Sequence, residues 1–461
     1  MKREFIGLIL AAGKGTRFKS DRIKLLHPLL GRTMLGMVLD CIKKLGPQKM
    51  LVVVGHQQED VVQEAALYGA KPVVQAKQLG TGHAVLSAKK ALASDGEKDV
   101  LVVNGDLPLL RPETLRPFLN VHRKQGNSLT FFSAELPDPT GFGRLIQPES
   151  GPMRIVEEKD ATPRQRKIRE VNAGIYLAKV KDLFQALPRL SNKNKKGEYY
   201  LTDIIEVMGE LGKKVGVYKS SQTDELIGVN DRFEMAQALS ELRMRKIKEL
   251  CLQGVTIQDP ATTWIDWDVR IARESTIHPY VVIEGDTKIG ANCSILPFVH
   301  IISCTIGREC RILTSTMIEE SILENRVQVG PFTHFRPGTV IRSGAKVGNF
   351  VEMKKTVFGR GSKAGHLSYI GDAEVADDVN IGAGTITCNY DGVQKYKTII
   401  ERGVFIGSGT ELVAPVRIGR EAYVGAGSTI TKDVSPNALA ISRVRQSEKP
   451  GWAKKRARKK K

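Results

Sequence analysis

Residues 271–301, IARESTIHPYVVIEGDTKIGANCSILPFVHI, carry isoleucine at every sixth position without a break. These positions are Ile271, Ile277, Ile283, Ile289, Ile295 and Ile301. A period of six fits neither an α-helix nor the two-residue alternation of an ordinary strand. It is typical of a hexapeptide-repeat parallel β-helix, in which each repeat forms a short strand and a turn with its aliphatic side chain inside. A run of β-hairpins would not keep one residue type in register.

The six-residue count continues toward the C-terminus after one-residue slips. The further apolar positions are Ile306, Ile312, Ile318, Leu323, Val329, Phe335, Ile341, Val347, Met353, Ile400, Ile406, Leu412, Ile418, Val424 and Ile430. Three repeats would close one triangular coil of about 18 residues. The count is interrupted near residues 359–369 and 387–398, which predicts two loops that project from the coils. Loops inserted in a solenoid commonly carry its functional site.

The sequence before residue 254 has a different pattern, in which apolar strands alternate with helices. Strands are predicted at 6–10, 50–54, 100–103 and 129–133, and helices at 34–45, 59–68 and 82–93. This alternation predicts a Rossmann-like α/β domain with a mostly parallel sheet. Ligands of such sheets bind beyond the carboxyl ends of the strands. One long amphipathic helix, at about 231–253, is predicted to connect this domain to the β-helix.

The composition is that of a globular protein with an excess of positive charge. The 461 residues are 41% hydrophobic and 26% charged, which excludes wholesale disorder. Lys and Arg number 70 and Asp and Glu 50, so the net charge of +20 favours anionic partners. Seven of the last eight residues are basic, but apart from Trp452 no aromatic residue is interleaved with them. We therefore expect weak, salt-dependent contacts of this tail with nucleic acid and not a nucleic-acid-binding function.

Cysteine usage and hydropathy predict a reducing, cytoplasmic location. The six cysteines, at positions 41, 251, 293, 304, 310 and 388, form no CxxC pair, so we predict free thiols. Residues 1–12 imitate a signal peptide, but the glycines and basic residues that follow at once favour a buried first strand and a phosphate loop. No apolar run approaches the roughly 20 residues of a membrane span, so none is expected.

The segment after the first predicted strand carries groups suited to binding phosphate. Gly13 and Gly15 allow backbone N–H groups to approach an anion, and Arg17 and Lys24 could neutralise it. Asp106 follows another buried strand, where a carboxylate is well placed to hold Mg²⁺. The sequence lacks the third glycine of a dinucleotide fingerprint and the Walker pattern. On the motif alone, the two cations are equally compatible with solvated surface charges.

Motifs along nearly the whole chain resemble those of one enzyme family. Residues 10–17 (LAAGKGTR), with Lys24, look like the signature of sugar-nucleotide pyrophosphorylases, and a hexapeptide β-helix follows them. Further matching segments are 75–83 (QAKQLGTGH), 138–144 (DPTGFGR), 197–203 (GEYYLTD), 349–355 (NFVEMKK), 363–366 (KAGH), 380–392 (NIGAGTITCNYDG) and 440–443 (AISR). From residue 5 to about 452 the chain resembles the bacterial bifunctional UDP-N-acetylglucosamine pyrophosphorylase/glucosamine-1-phosphate N-acetyltransferases.

This resemblance implies a two-step synthesis of UDP-N-acetylglucosamine in a homotrimer. The β-helix would transfer acetyl from acetyl-CoA to glucosamine 1-phosphate, and the N-terminal domain would couple N-acetylglucosamine 1-phosphate to UTP with Mg²⁺, releasing pyrophosphate. The corresponding domains are expected at 1–232 (pyrophosphorylase), 233–253 (helical linker), 254–452 (left-handed parallel β-helix acetyltransferase) and 453–461 (basic disordered tail). A rival hypothesis keeps only nucleotidyl transfer and assigns the β-helix to oligomerisation or regulation. A thiol-release assay with acetyl-CoA and glucosamine 1-phosphate separates the two.

For the nucleotidyl site, the resemblance implies specific ligand contacts. Gln75, Gly80 and Thr81 would contact the uracil base. Gly143, Glu157 and Asn172 would hold N-acetylglucosamine. Asp106 and Asn230 would hold the metal, and Arg17 and Lys24 would stabilise the phosphates. The remaining implied contacts are Leu10, Ala11, Ala12, Gly13, Asn104 and Gly105; at Asn104 this chain departs from family members that carry an aromatic residue before Gly-Asp.

For the acetyl-transfer site, the resemblance favours His366 as the general base, with His334 as its rival in the sequence. Arg336 and Lys354 would bind the sugar phosphate. The implied sugar and acetyl contacts are Tyr369, Asn380, Asn389 and Tyr390, the last two shared with acetyl-CoA. The other implied acetyl-CoA contacts are Ala383, Ser408, Ala426 and Arg443. Cys388 lies beside this region, but direct transfer is simpler than a thioester on this thiol.

Overall fold

The structure is a computed structural model that describes residues 4–13, 15–55, 58–226 and 228–458. The chain divides into two compact units, and the boundary between Leu242 and Arg243 falls within one helix. Each unit has its own hydrophobic core.

The N-terminal unit is built on a nine-stranded sheet, with a small two-stranded sheet beside the first helix. Its strands are β1 Phe5–Leu10, β2 Pro28–Leu29, β3 Arg32–Thr33, β4 Lys49–Gly55, β5 Lys71–Gln75, β6 Asp99–Asn104, β7 Leu129–Glu135, β8 Arg144–Ile146, β9 Arg154–Val156, β10 Glu170–Lys179 and β11 Val215–Ser220. Its α-helices are α1 Met34–Lys43, α2 Glu59–Leu67, α3 Thr81–Ser87, α4 Pro112–Gln125, α5 Pro163–Arg166, α6 Val180–Ala186 and α7 Ile204–Glu210. Short 3₁₀ turns cover Thr16–Phe18, Lys24–Leu26, Lys90–Leu92, Leu187–Arg189, Leu201–Asp203 and Thr223–Leu226.

The main sheet runs in the order β11-β7-β10-β6-β1-β4-β5, with β8 attached to β10 and β9 attached to β8. β10 is antiparallel to β6 and β7, and the other neighbours along this path are parallel. The predicted mostly parallel sheet is therefore confirmed. The predicted helix at 82–93 is instead two elements, since α3 ends at Ser87 and a 3₁₀ turn follows.

Three predicted site segments follow the carboxyl ends of parallel strands. Leu10 ends β1, Gln75 ends β5 and Asn104 ends β6. The β1 and β6 ends are in register, because Leu10 pairs with Asn104 and the Gly105 N–H donates to the Leu10 carbonyl at 2.9 Å. The topology therefore gathers these segments at one edge of the sheet, as expected for ligand binding.

The two units are connected by helix α8, Arg232–Leu252. This confirms the single helix predicted at about 231–253. Near its C-terminal end, Ile247 and Leu250 are buried in the hydrophobic core of the β-helix. The end of α8 thus forms part of the second unit.

The second unit is a left-handed parallel β-helix of short strands. Its strands are β12 Thr256–Ile257, β13 Trp264–Ile265, β14 Arg270–Ile271, β15 Thr276–Ile277, β16 Val282–Glu284, β17 Lys288–Ile289, β18 Ser294–Ile295, β19 His300–Ile302, β20 Thr305–Ile306, β21 Arg311–Ile312, β22 Met317–Glu319, β23 Ile322–Leu323, β24 Gln328–Val329, β25 His334–Phe335, β26 Val340–Ile341, β27 Lys346–Lys354, β28 Val357–Phe358, β29 Lys363–Gly371, β30 Ala373–Val375, β31 Asn380–Ile381, β32 Ile386–Cys388, β33 Thr398–Ile400, β34 Phe405–Ile406, β35 Glu411–Val413, β36 Val416–Ile418, β37 Tyr423–Val424, β38 Thr429–Ile430 and β39 Leu439–Ala440.

Stacked aliphatic side chains form the core of the β-helix. Ile271 pairs with Ile289 in the next coil, and Ile289 pairs with Ile306. Ile277 begins a second column through Ile295 and Ile312. Every inward position predicted from the six-residue count is at most 5% exposed. The hexapeptide prediction is therefore confirmed, and burial of this ladder supplies the hydrophobic stabilisation of the unit.

The prediction of a projecting loop near residues 359–369 is wrong. Residues 363–371 form β29, which pairs in parallel with β27 and continues the coil without a projection. The inward positions continue here at the buried Phe358, Ala364 and Ile370, after a one-residue slip from Met353, so no residues are inserted in the coil. The second interruption is a loop, since residues 389–397 lie between β32 and β33 and are closed by a bridge between Tyr390 and Lys395.

The C-terminal segment differs from the disordered tail that was expected. Residues Trp452–Arg458 form helix α9, in which the Arg456 guanidinium lies 5.1 Å from the centre of the Trp452 ring. Residues 459–461 lie outside the described residues. Within the described part of the chain, no helix combines the length and apolar character that crossing a membrane requires.

Candidate active sites

The glycine loop after β1 brings Lys24 against the backbone. Ala11 and Ala12 are buried, and the Ala11 N–H donates to the Val53 carbonyl at 2.8 Å. Gly15 has φ +60°, and a Cβ there would lie 2.8 Å from Cβ of Lys24. A side chain at Gly15 would therefore push Lys24 away, which explains why the loop needs glycine at this position.

Lys24 and Arg17 contact the two residues that were predicted to hold a metal. The Lys24 ammonium donates to Asp106 Oδ2 at 2.7 Å and to the Val229 carbonyl at 3.0 Å. The Arg17 guanidinium donates to Asn230 Oδ1 at 2.8 Å. The Asp106 carbonyl in turn accepts from the Val229 N–H at 2.9 Å. Four predicted residues from three distant parts of the chain are thus brought together.

The donor chemistry of this cluster fits Mg²⁺. Asp106 offers a carboxylate and Asn230 an amide oxygen, and both are hard oxygen ligands. Mg²⁺ typically takes one or two protein oxygens and completes its shell with phosphate and water. The described residues contain no group of three or more His, Cys, Asp or Glu side chains able to hold a metal, so ligands from the nucleotide would be needed here.

The segment after β5 is tied both to the glycine loop and to residues 199–201. Gln78 Nε2 donates to the Ala12 carbonyl at 2.6 Å. The Gly82 N–H donates to the Tyr199 carbonyl at 2.8 Å, and the Leu201 N–H donates to Thr81 Oγ1 at 3.0 Å. Gly80 has φ +109°, and a Cβ there would lie 2.6 Å from the Tyr199 carbonyl oxygen. Gln75, Gly80 and Thr81 therefore lie in one hydrogen-bonded segment that follows β5.

The three residues predicted to hold the sugar are neighbours. The Asn172 N–H donates to the Gly143 carbonyl at 2.9 Å. A Cβ on Gly143 would lie 2.5 Å from Ile155 Cγ2, which would have to shift, and in ordinary contact with Glu157 Oε1 at 3.4 Å. Burial raises the pKa of Glu157, although its hydrogen bond from Thr202 Oγ1, at 3.1 Å, acts in the opposite direction. Burial and the nearby Glu157 raise the pKa of Asp203 to about 6.

Asn104 takes the place of the aromatic residue that the family resemblance implies. A Cβ on Gly174 would lie 2.7 Å from Asn104 Nδ2, so the amide packs directly on the backbone of β10. The position remains beside Gly105 and Asp106 at the sheet edge. It offers the ligand an amide edge in place of a ring face.

His366 lies in β29 on the corner of a coil. It pairs with Asn349 of β27, and Asn349 Oδ1 accepts from His366 Nδ1 at 2.5 Å. With Nδ1 as the donor, Nε2 keeps a lone pair and can accept a proton. The close approach of the two strands depends on Gly348, because a Cβ there would collide with the Gly365 carbonyl. The structure thus adds Asn349, which sequence reasoning had not singled out.

The predicted acetyl-CoA contacts continue in a line from His366. Ala383, Ser408 and Ala426 occupy the same corner position in the three following coils, two residues beyond the paired Ile381, Ile406 and Val424. The Gly409 N–H donates to the Ala383 carbonyl at 2.7 Å and the Gly427 N–H to the Ser408 carbonyl at 2.8 Å. We call this line of small residues the corner groove. Arg443 lies at its end and donates to the Ala426 carbonyl.

A cluster of cations lies at the far end of β27. Arg336 Nη1 donates to Glu352 Oε1 at 3.1 Å. The charges of Arg336 and Lys395 lower the pKa of Lys354. Cations held so close together create a strong site for an anion. Lys395 comes from the 389–397 loop and was missed in the sequence, where no motif distinguishes it from other loop lysines.

The remaining predicted sugar contacts surround the same region. A Cβ on Gly371 would collide with the Tyr369 hydroxyl and lie 2.9 Å from Asn389 Nδ2. Asn389 also donates to Asp372 Oδ2 at 2.5 Å. Tyr390 is 58% exposed in the loop, and Asn380 faces outward from β31 beside Lys363 of β29. All four predicted side chains therefore lie on coils next to His366 or Lys354.

His334, the rival general base, and Cys388, the alternative nucleophile, are less suited to acetyl transfer than His366. His334 Nε2 is 2.8 Å from Glu319 Oε2 and is thereby held in an ion pair when protonated. Burial, with a smaller effect of Glu411, raises the pKa of the Cys388 thiol, which opposes the thiolate that a nucleophile needs. All six cysteines are free, as predicted.

A glycine-loop α/β unit followed by a hexapeptide β-helix defines a two-domain transferase. Residues 7–199 match the MobA-like NTP transferase domain, and residues 268–303 and 397–432 match the bacterial transferase hexapeptide (six repeats). The chain belongs to the GlmU family. Bifunctional protein GlmU of Pelobacter propionicus is 47% identical over 449 residues, covering 96% of this chain and 97% of the relative. That of Thermotoga maritima is 46% identical over 449 residues, covering 97% and 98%.

These similarities confirm the main functional prediction. The chain is a bifunctional enzyme that joins a uridylyltransferase and a glucosamine-1-phosphate N-acetyltransferase for the synthesis of UDP-N-acetylglucosamine. The two matched domains occur in the predicted order along the chain. The hypothesis of nucleotidyl transfer with a merely structural β-helix is thereby set aside.

Proposed function

We propose that the clusters described above carry the two half-reactions, with acetyl transfer first. In the β-helix, His366 Nε2 removes the amine proton of glucosamine 1-phosphate as the nitrogen attacks the thioester carbonyl of acetyl-CoA. The C–S bond then breaks, and coenzyme A leaves as a thiolate that takes up a proton. The observation that carries this assignment is the Asn349–His366 hydrogen bond at 2.5 Å, which leaves Nε2 free. The corner groove offers small side chains along which an extended coenzyme can lie, and Arg443 provides a cation for its phosphates.

The phosphate of glucosamine 1-phosphate is assigned to Arg336, Lys354 and Lys395. An arginine supplies a planar pair of donors and each lysine a compact charge, so a dianion would relieve the repulsion among them. Tyr369, Asn380, Asn389 and Tyr390 are assigned to the sugar and the acetyl group. No covalent acetyl-enzyme is proposed, and an acetyl-thioester trapped on Cys388, together with loss of activity in Cys388→Ser, would contradict direct transfer.

In the N-terminal unit we assign in-line attack of a sugar-phosphate oxygen on the α-phosphorus of UTP. Arg17 and Lys24 neutralise the negative charge that moves to the departing pyrophosphate. Asp106 and Asn230 would hold Mg²⁺, which when bound screens the phosphate oxygens from each other. Gln75, Gly80 and Thr81 hold the uracil, and Gly143, Glu157 and Asn172 hold the N-acetylglucosamine. The remaining contacts, Leu10 to Gly13 and Asn104 to Gly105, line the sheet edge between them.

A homotrimer is proposed from an exposed apolar ridge on the β-helix. The ridge consists of Tyr280, Phe298, Phe332, Phe350 and Leu367, each 51–61% exposed. The rings of Tyr280 and Phe298 stack at 5.0 Å, and those of Phe332 and Phe350 at 5.3 Å. All five have left-handed φ values between 48° and 62°, where a bulky side chain strains the backbone. A partner subunit that buries the ridge would compensate for this strain and exposure.

The trimer also explains the separation of two groups within one chain. Asn349 pairs with His366, whereas Lys354, five residues further along β27, pairs with Gly371. The ridge residue Phe350 lies at the corner between them. We propose that the base of one subunit works with the phosphate cluster of its neighbour. The substrates and the free thiols lead us to assign these reactions to the cytoplasm.

Separate assays of each half-reaction test the assignment. Asp106→Asn should lower kcat/KM for pyrophosphate release at least about a hundredfold and leave thiol release from acetyl-CoA within about twofold. His366→Ala should leave pyrophosphate release unchanged and lower the rate of acetyl transfer by a factor of about 10²–10⁴. Asp21→Asn, an exposed carboxylate in the segment between β1 and β2, serves as the control for Asp106. A loss of both activities in either variant would contradict the separation of the sites.

A further inference from the structure

The orientation of the Gln75 side-chain amide is determined by Gly80 and His83. Gln75 is the last residue of β5 and is 3% exposed. Its Nε2 lies 3.2 Å from the Gly80 carbonyl oxygen and 3.0 Å from His83 Nδ1. A carbonyl oxygen can only accept a hydrogen bond, so the amide atom that faces Gly80 must be the nitrogen. The Gly80 carbonyl therefore identifies the nitrogen, and His83 Nδ1 is then the acceptor of its second hydrogen.

This arrangement uses both hydrogens of the amide and leaves its oxygen available. The Gly80 carbonyl takes one hydrogen and His83 Nδ1 the other, so His83 carries its own proton on Nε2. Among the residues that the structure describes, no protein donor reaches Gln75 Oε1. His83 itself is in α3, whose first turn is fixed by the Gly82 N–H donating to the Tyr199 carbonyl at 2.8 Å.

We propose that His83 is a positioning residue that sets the nucleobase specificity of the nucleotidyl site by presenting the oxygen of Gln75 to the base. This inference rests on the proposed role of Gln75 at uracil. Uracil carries a hydrogen on N3, which an amide oxygen can accept. Cytosine has an unprotonated N3, which needs a donor instead. An amide turned the other way would therefore lose its match with uracil and gain one with cytosine.

Without His83, only the Gly80 carbonyl would hold the amide, and the reversed orientation would become accessible. The site would then discriminate less well between UTP and CTP, while the geometry of the phosphates and the sugar would be unchanged. The group that His83 contributes is a hydrogen-bond acceptor, so a replacement that keeps an acceptor should keep the specificity. A replacement that keeps only the volume of the ring should not keep the specificity.

The experiment compares kcat/KM for UTP and for CTP in the full-length protein with N-acetylglucosamine 1-phosphate and Mg²⁺. His83→Phe keeps a ring but removes the acceptor, and it should lower the UTP/CTP ratio about tenfold, the effect of one hydrogen bond of typical net strength. His83→Gln keeps an acceptor and should restore most of the ratio. Lys89→Gln, an exposed position just beyond α3, is the control for changes in this region.

Two results would overturn the inference about His83. One is a UTP/CTP ratio in His83→Phe equal to that of the unaltered protein. The other is a UTP/CTP ratio that falls as far in His83→Gln as in His83→Phe, because the retained acceptor would then have no effect. Gln75→Leu tests the underlying assignment separately. If Gln75→Leu leaves the ratio unchanged, the proposed uracil contact fails; if it lowers the ratio but His83→Phe does not, only the role of His83 fails.

Discussion

The Lys24 ammonium lies 2.7 Å from Asp106 Oδ2, so a proposed phosphate-binding cation and a proposed metal ligand are hydrogen-bonded to each other. Both side chains are largely buried, with 14% and 22% of their surfaces exposed. Arg17 and Asn230 repeat the arrangement at 2.8 Å. A divalent cation and Lys24 would therefore compete for the Asp106 carboxylate. Each proposed metal ligand is held in place by a basic side chain, Asp106 by Lys24 and Asn230 by Arg17.

Removal of Lys24 should strengthen metal binding while it weakens catalysis. In Lys24→Met, the affinity for Mn²⁺, used as a paramagnetic substitute for Mg²⁺, should rise about fivefold, because a partly exposed ion pair of typical strength no longer competes. Uridylyl transfer should fall in the same variant. Electron paramagnetic resonance of free Mn²⁺ measures the affinity directly. Unchanged or weaker Mn²⁺ binding in Lys24→Met would show that the metal does not use Asp106.

Replacement of Asn349 should alter the pH dependence of acetyl transfer. A carboxylate in Asn349→Asp would accept from His366 Nδ1 and favour the imidazolium, so the acidic limb of the kcat/KM profile should move to higher pH. In Asn349→Ala the profile should keep its position and kcat should fall about tenfold or more, since the ring loses its orientation. Lys346→Gln, at an exposed position of the same strand, is the control. Identical profiles in all variants would contradict the role of Asn349.

Loss of Lys395 should weaken phosphate binding and extend it to higher pH. In Lys395→Gln, KM for glucosamine 1-phosphate should rise about tenfold at neutral pH, because a charge-assisted hydrogen bond is removed. Lys395 and Arg336 lower the pKa of Lys354, so Lys354 loses its charge earlier than usual as the pH rises. Without Lys395, the alkaline rise in KM should begin at a higher pH. Lys397→Gln is the matched control, because Lys397 pairs with Glu374 in the same part of the chain.

Neutralisation of Asp203 should stabilise the folded protein above pH 6 only. The pKa of this carboxyl is raised to about 6 in the folded state, against roughly 3.9 in an unfolded chain. Below pH 4 both states are protonated, and as the pH rises through 6 the buried charge destabilises the folded state. After allowance for partial exposure, Asp203→Asn should add about 1 kcal/mol at pH 8 and little at pH 4.

Scanning calorimetry at the two pH values measures this difference as a shift in Tm of the N-terminal unit. Asp138→Asn is a control for which the expected change in stability has the opposite sign. Hydrogen bonds from Thr140 lower the pKa of Asp138, so loss of its charge should destabilise the folded protein. An equal stabilisation of Asp203→Asn at both pH values would contradict the assigned protonation.

A charge on the apolar ridge should dissociate the proposed trimer. Phe350→Glu, at a position 54% exposed, should yield monomers, because the carboxylate would be buried without a partner in the assembly. Acetyl transfer should be lost and uridylyl transfer retained. Sedimentation equilibrium measures the mass of the particle. Leu67→Glu, at an exposed leucine of α2 that is 76% accessible, should have no such effect. A trimeric Phe350→Glu variant would rule out the ridge as the interface.

The sequence was sufficient for the fold because the β-helix repeats a local rule. Ile289 is inward for the same reason as Ile271, and each coil needs only its neighbours to form. The prediction was wrong at residues 359–369, where His366 was expected on a projecting loop. There the inward positions Phe358, Ala364 and Ile370 continue the count after a one-residue slip, but an alanine at the middle position does not stand out in the sequence as a core residue.

The site was predicted in part, since the residues carrying recognisable motifs were found and their partners were not. Lys24 contacts Val229 across 205 positions of sequence, and no local spacing encodes such a contact. Asn349, His83 and Lys395 are ordinary surface-compatible residue types, and only the register of the strands and the path of one loop give them their neighbours. Their roles depend on distances that the sequence does not contain.

A stack of coils loosens from its two ends, because an end coil parts from one neighbour and an inner coil from two. The paired strands β27 and β29, which hold Asn349 and His366, have coils on both sides. Amide hydrogens there should exchange with solvent more slowly than those of β12 or β39. Fraying at the β12 end would therefore leave the acetylation chemistry undisturbed, whereas fraying at the β39 end would reach Ala426 and Arg443 of the corner groove.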